Sequence, residues 1–127
     1  MIMILRAALT LGGLLLLFVA FGFLTDPVTS SASFGLVVEG THGTTSIRAD
    51  FTAFFGVCGA CFVWGAWGSR RDPLIIGAAL MLVPLAARLV SLTLDGSFEG
   101  YIQPMVFEFV FGVLGIVGAR ILPGKTA

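Results

Sequence analysis

The side chains able to do chemistry fall into two sets. One set is polar: Arg48, Asp50, Arg88, Ser91, Asp95 and Glu108, most of them inside or beside long apolar runs. Arginine near the centre of a membrane helix costs roughly 2.5–3.5 kcal/mol on insertion scales, so a buried partner is expected. Such a guanidinium can hold an anionic or carbonyl group, and these six residues are the candidate binding cluster. The other set is Cys58-Gly-Ala-Cys61. In soluble oxidoreductases a C-x-x-C opens a helix and activates one thiol, and four-helix quinone-linked enzymes carry such pairs. A membrane thiol or quinone oxidoreductase using Cys58 and Cys61 is therefore the alternative function. Against it, cysteines three apart in a regular helix need distortion to close a disulfide, and the chain has no second pair. Packing by two small side chains is the expected role.

The remaining chemistry is sparse. The one histidine, His42, has no ligand cluster around it, so no metal is expected. Phosphate loops, nucleophile elbows, zincin helices and dinucleotide fingerprints are missing. The chain does not read as a conventional enzyme and calls for no cofactor. Net charge is zero and no basic patch occurs, so nucleic acid is not an expected partner.

These residues need elements to carry them. Of the 127 residues, 57 % are hydrophobic and 11 % charged, too few charges to cover a soluble domain, where roughly 25 % is usual. Four apolar segments predict transmembrane helices at about 2–24, 48–67, 73–94 and 101–122, each near the ~20 residues that cross a bilayer. The first could instead be a secretory signal, but its apolar run exceeds the roughly 7–15 residues of a signal core. A retained helix is the expectation. The fold class is all-α, a single domain built as an antiparallel four-helix membrane bundle. Arg70 and Arg71 lie between helices two and three, Arg6 near the start, and Arg120 and Lys125 near the end. The positive-inside rule then places both termini in the cytoplasm.

Depth pairs the first set. At 1.5 Å per residue Arg88 lies about 9 Å from the outer end of helix three, and Glu108 about 10 Å into helix four. A short turn, 95–101, makes these helices neighbours, so Glu108 is the candidate partner of Arg88. Gly77, Met81, Pro84, Arg88, Ser91 and Asp95 share one face of helix three, and Asp50 shares a stripe with Phe54, Cys58 and Cys61. Arg48 and Asp50 stand at the outer end of helix two. Pro84 cannot donate to the carbonyl of Leu80 and should kink helix three.

Small residues mark where helices should meet: Ala8 and Gly12 in helix one, Ala49, Ala53, Gly56 and Ala60 in helix two, Gly112, Gly115 and Ala119 in helix four. Asp72 reads as an N-cap with Pro73 at the first helical position. Residues 28–46 read as a long outer loop whose apolar run FGLVV, too short to span, is a candidate lid.

Arg-x-Asp-Phe opening helix two (Arg48, Asp50, Phe51), arginine followed by Asp-Gly closing helix three (Arg88, Asp95, Gly96) and a glutamate early in helix four (Glu108) together resemble small bacterial membrane proteins catalogued as domain of unknown function, family 4345. The resemblance spans nearly the whole chain. It implies a multi-pass protein of the bacterial inner membrane and no particular activity, and the C-x-x-C does not look like part of its pattern. The expected function is thus a binding or accessory membrane protein. Its partners would be membrane lipid, a small-molecule or lipid ligand, and either a second copy or another membrane protein. A structural subunit of a larger membrane complex is a further alternative.

Overall fold

The computed structural model describes residues 1–125 and is helical throughout its regular parts. Helix α1 spans Ile2–Thr25 and is almost wholly aliphatic. It stops at Asp26-Pro27 because the proline ring pushes the residue before it out of the helical region. Asp26 accordingly has φ −143° and ψ 77°, and its carboxylate accepts the Thr29 N–H at 3.2 Å. One residue thus ends α1 and caps the short helix α2, Pro27–Ala32.

The chain turns at Gly35 (φ +72°) and enters α3, Gly40–Gly68. The sequence reading put the helix start near 48. Residues 40–46, rich in glycine and threonine, have weak helix propensity, but they extend a helix already nucleated by its apolar part, where each added residue costs little. The Thr44 hydroxyl also donates to the Gly40 carbonyl at 2.9 Å. Much of the expected loop is therefore helix, and His42 stands in the first turns of α3 rather than in a loop.

Helix α3 ends at Ser69, left-handed at φ 49°, and α4 follows at Arg71–Leu94. Asp72 is not the cap: Arg70 holds that position, and Asp72 and Pro73 are the second and third helical residues. The acid still faces the positive helix end, and Pro73 removes an N–H that has no intrahelical partner there. The helix continues through Pro84. Helix α5, Ile102–Ile121, completes the set.

Four of the helices, 24, 29, 24 and 20 residues long, are apolar enough to cross a membrane. This is the build of a multi-pass membrane protein. Its outside agrees: Leu11, Leu14, Phe18, Phe21, Val83, Val106 and Phe109 are each more than half exposed, a surface that water would not tolerate at this density.

Packing follows glycine more than alanine. Helix α1 lies along α3, α4 along α5, and α3 joins the pairs by packing on α4. A β-carbon on Gly59 would stand 2.5 Å from the Gly13 carbonyl oxygen, and one on Gly13 2.8 Å from that of Gly59. Backbones in this contact are as close as lipid-embedded helices come. The Phe62 ring fills the notch between Gly77 of α4 and Gly115 of α5. Gly12, Gly112, Gly115 and Ala119 are buried as expected, but Ala49, Ala53 and Ala60 are exposed. The buried face of α3 is Cys58, Gly59, Cys61, Phe62, Gly65 and Ala66, displaced from the stripe that alanine spacing suggested.

Candidate functional site

The loop between α4 and α5 is short, and it brings the last two turns of α4 beside the first two of α5. There Arg88 Nε donates to Glu108 Oε1 at 2.5 Å, a charge-assisted hydrogen bond. The partners differ in exposure. The Glu108 side chain is 8 % exposed and that of Arg88 34 %. Glu108 Oε2 is buried without a hydrogen-bond partner among the described residues. Arginine has five N–H donors in a planar fork. Only the Nε edge is used on Glu108, and no hydrogen bond from the two Nη groups occurs among the described residues.

Arg88 also lines two hollows. The larger, about 460 Å³, is lined by Phe34, Leu36, Asp50, Phe51, Phe54, Phe55 and Arg88. The smaller, about 120 Å³, is lined by Arg88, Ser91, Leu92, Phe98, Tyr101 and Met105. Arg88 is the one residue common to both walls.

Aromatic packing makes the larger hollow. Phe23 of α1 is fully buried, with ring centroids 4.8 Å from Phe51, 5.7 Å from Phe55 and 5.4 Å from Phe34. Phe34 in turn lies 5.6 Å from Phe55. The turn after α2 is thereby folded back over α3, and Phe34 and Leu36 form part of the cavity wall. Phe51, Phe54 and Phe55 follow the one-, three- and four-residue steps that keep side chains on neighbouring faces of one helix. That spacing was visible in the sequence. The contribution of Phe34 was not, because it requires the reversal at α2.

The six candidate residues do not all meet. Arg88 and Glu108 pair, Asp50 lines the larger hollow and Ser91 the smaller. Asp50 makes no ion pair or hydrogen bond with Arg88 although both face one cavity. Arg48 is engaged elsewhere: its Nε donates to the Leu24 carbonyl at 2.9 Å and ties α3 to the end of α1. Asp95 is the exposed C-terminal cap of α4 and lines neither hollow.

Cys58 and Cys61 are free thiols, both buried. The Cys58 thiol lies 3.7 Å from the Gly77 carbonyl, to which it donates. Both line the α3 face that packs in the core, and neither borders a hollow that holds Arg88.

Sequence reading missed a second buried arginine. Arg6 is 1 % exposed. Its Nη2 donates to Ser69 Oγ at 2.9 Å and to the Lys125 carbonyl at 3.2 Å, and its guanidinium carbon stands 5.8 Å from the Trp67 ring centre. The Trp67 indole N–H donates to the Thr10 hydroxyl at 2.7 Å, and that hydroxyl donates to the Arg6 carbonyl. The start of α1, the end of α3 and the chain after α5 are knotted together at that end. One arginine near a chain start reads as an orientation signal, and nothing in its spacing announces the knot.

The family model described as Domain of unknown function (DUF4345) matches residues 4–119. The chain belongs to that family. The DUF4345 match takes in α3 and α4, all but the first two residues of α1 and the last two of α5, and every residue around Arg88 described above, whereas Lys125 falls beyond it. No curated protein and no solved structure matches the chain.

Proposed function

We propose that this DUF4345 protein is a binding or accessory protein of the bacterial inner membrane that holds a small amphipathic molecule in the aromatic hollow beside Arg88. One observation carries the reading. Arg88 is anchored by a buried glutamate through its Nε edge, and the same residue lines a cavity of about 460 Å³ walled mainly by phenylalanine. Binding sites for small molecules are commonly ~300–1,000 Å³, mostly apolar, with a few convergent polar groups. An ionisable residue inside a membrane segment is a functional candidate on the same physical grounds.

The positive-inside rule supports an orientation with Arg6, Arg70, Arg71 and Arg120 toward the cytoplasm. The Arg88 hollow then belongs to the outer half of the bundle. Helix α3 extends beyond the end of α1 on that side, and the turn carrying Phe34 and Leu36 covers the hollow from there.

Native mass spectrometry of the protein extracted gently from its own membrane tests this, run beside the double variant Arg88→Met/Glu108→Met. The double variant removes both charges together and avoids leaving one unmatched. A discrete bound mass in the parent that disappears in the variant is the expected result. The same bound mass in both, or none in either, would overturn the proposal.

A further inference from the structure

The charges around the larger hollow select among amphiphiles, taking the binding reading above as given. Arg88 and Glu108 cancel as a pair, and Asp50 lines the same hollow with no ion pair or hydrogen bond from its side chain among the described residues. Formally the site carries one negative charge, from Asp50. A purely anionic head would meet the Arg88 Nη donors and also an unanswered carboxylate close by, and in a low-dielectric wall that repulsion is strong. A head carrying both signs meets neither penalty. Its anionic oxygens accept from the Nη edge, which suits planar recognition of phosphate, and its ammonium lies on Asp50. The phenylalanine lining has no polar group for a soluble ligand but suits a hydrocarbon chain.

We infer that the hollow takes a zwitterionic phospholipid of the phosphoethanolamine type, with phosphate on Arg88, ammonium on Asp50 and an acyl chain along Phe51, Phe54 and Phe55. The position of Asp50 agrees with a lipid source. Its helical neighbour Arg48 bonds to the Leu24 carbonyl at the end of α1, so Asp50 stands near the level where that membrane helix ends. Arg88 lies roughly 9 Å inside the end of α4 at 1.5 Å per residue. The two charges thus belong to the boundary between headgroup and hydrocarbon, where a phospholipid changes from polar to apolar.

The test uses the full chain in detergent, titrated by native mass spectrometry with two single-chain lipids of equal length: lysophosphatidylethanolamine, which is zwitterionic, and lysophosphatidylglycerol, which is anionic. Soluble O-phosphoethanolamine is the third probe. The parent should prefer the ethanolamine lipid by roughly tenfold, the effect of about one good polar contact. Asp50→Asn should abolish the preference while keeping the fold, since Asp50 is exposed and makes no ion pair among the described residues. The Arg88→Met/Glu108→Met variant should bind neither lipid. Equal or stronger binding of the glycerol lipid by the parent, with both lost in the double variant, would overturn the zwitterion assignment and leave the binding reading standing. O-phosphoethanolamine binding as well as its lipid form would overturn the lipid source. Lipid binding indifferent to the double variant would sink both proposals.

Discussion

The molecule carries an arginine toward each end of its bundle, one buried and one a third exposed, and treats the two differently. Arg6 is sealed: a hydroxyl, a carbonyl and an indole ring surround it at 1 % exposure, and neither hollow touches it. Arg88 has one buried carboxylate, keeps a third of its side chain exposed, and borders both hollows. Arg6 is taken out of water almost wholly and Arg88 only in part. Among the described residues, a hydroxyl and a carbonyl from distant parts of the chain accept hydrogen bonds from Arg6, which makes it a fastener. A single counter-charge answers Arg88 along one edge, which leaves donors for something the chain does not supply. The difference separates a charge that holds the fold from the charge on which the proposed binding rests.

The sharpest way to break this contrast is at Glu108. Glu108→Gln leaves Arg88 without its counter-charge, and unmatching a buried ion pair costs roughly 3–5 kcal/mol. The effect should fall toward the lower end, because Arg88 is a third exposed and headgroups or water answer part of its charge. Arg88→Met/Glu108→Met should cost less than Glu108→Gln alone. Reversible unfolding in mixed micelles, read as a double-mutant cycle, gives the coupling directly. Additive losses would show that the two side chains do not act as a pair, and the comparison with Arg6 would then lose its basis.

Arg6→Met probes the other end. Hydrogen bonds to a charged group are worth about 1.5–3 kcal/mol each when lost. The Ser69 hydroxyl also donates to the Lys125 carbonyl, so that acceptor keeps a partner after the substitution. A destabilisation of roughly 1.5–3 kcal/mol is expected, with faster proteolysis near Lys125 and no change in any co-purified mass. Loss of a bound mass in Arg6→Met would erase the division between fastener and site.

The division was only half legible in the sequence. Arg88 and Glu108 could be paired because helix depth is countable at 1.5 Å per residue and a short turn forces the two helices together. The hydropathy of the spans, and with it the membrane build, was legible for the same reason: it is a local property. Arg48 and Asp95 could not be separated from the cluster by spacing. Whether a side chain at a helix end turns inward or takes a nearby carbonyl depends on the neighbouring helix, and for Arg48 that neighbour is the last turn of α1. The Arg6 knot joins residues 63 and 119 positions apart, beyond any periodicity. The helix contacts also misled: alanine and glycine were weighted alike, yet α3 buries Gly59 and Gly65 and exposes Ala49, Ala53 and Ala60. Only a residue with no side chain permits the approach seen between Gly13 and Gly59.

The finest test compares two aspartates near the Arg88 end, Asp26 and Asp50. Both are exposed, but the chain answers only one. Thr29, first through its backbone N–H and then through its side chain, holds Asp26 below the ordinary value of 3.8. A folded-state value below the unfolded one means that the cap is fully formed above the ordinary carboxylate range. It is lost as pH falls through the lower folded value. Asp26 is fully exposed, so global stability should barely register this. The amide resonance of Thr29 should report it instead, moving on acidification with a midpoint below 3.8 as the cap releases. A Thr29 shift that titrates at or above the ordinary value would show the cap to be absent in solution. The start of α2 would then be loose, and the turn that carries Phe34 over the hollow would lose the support that shapes the cavity beside Arg88.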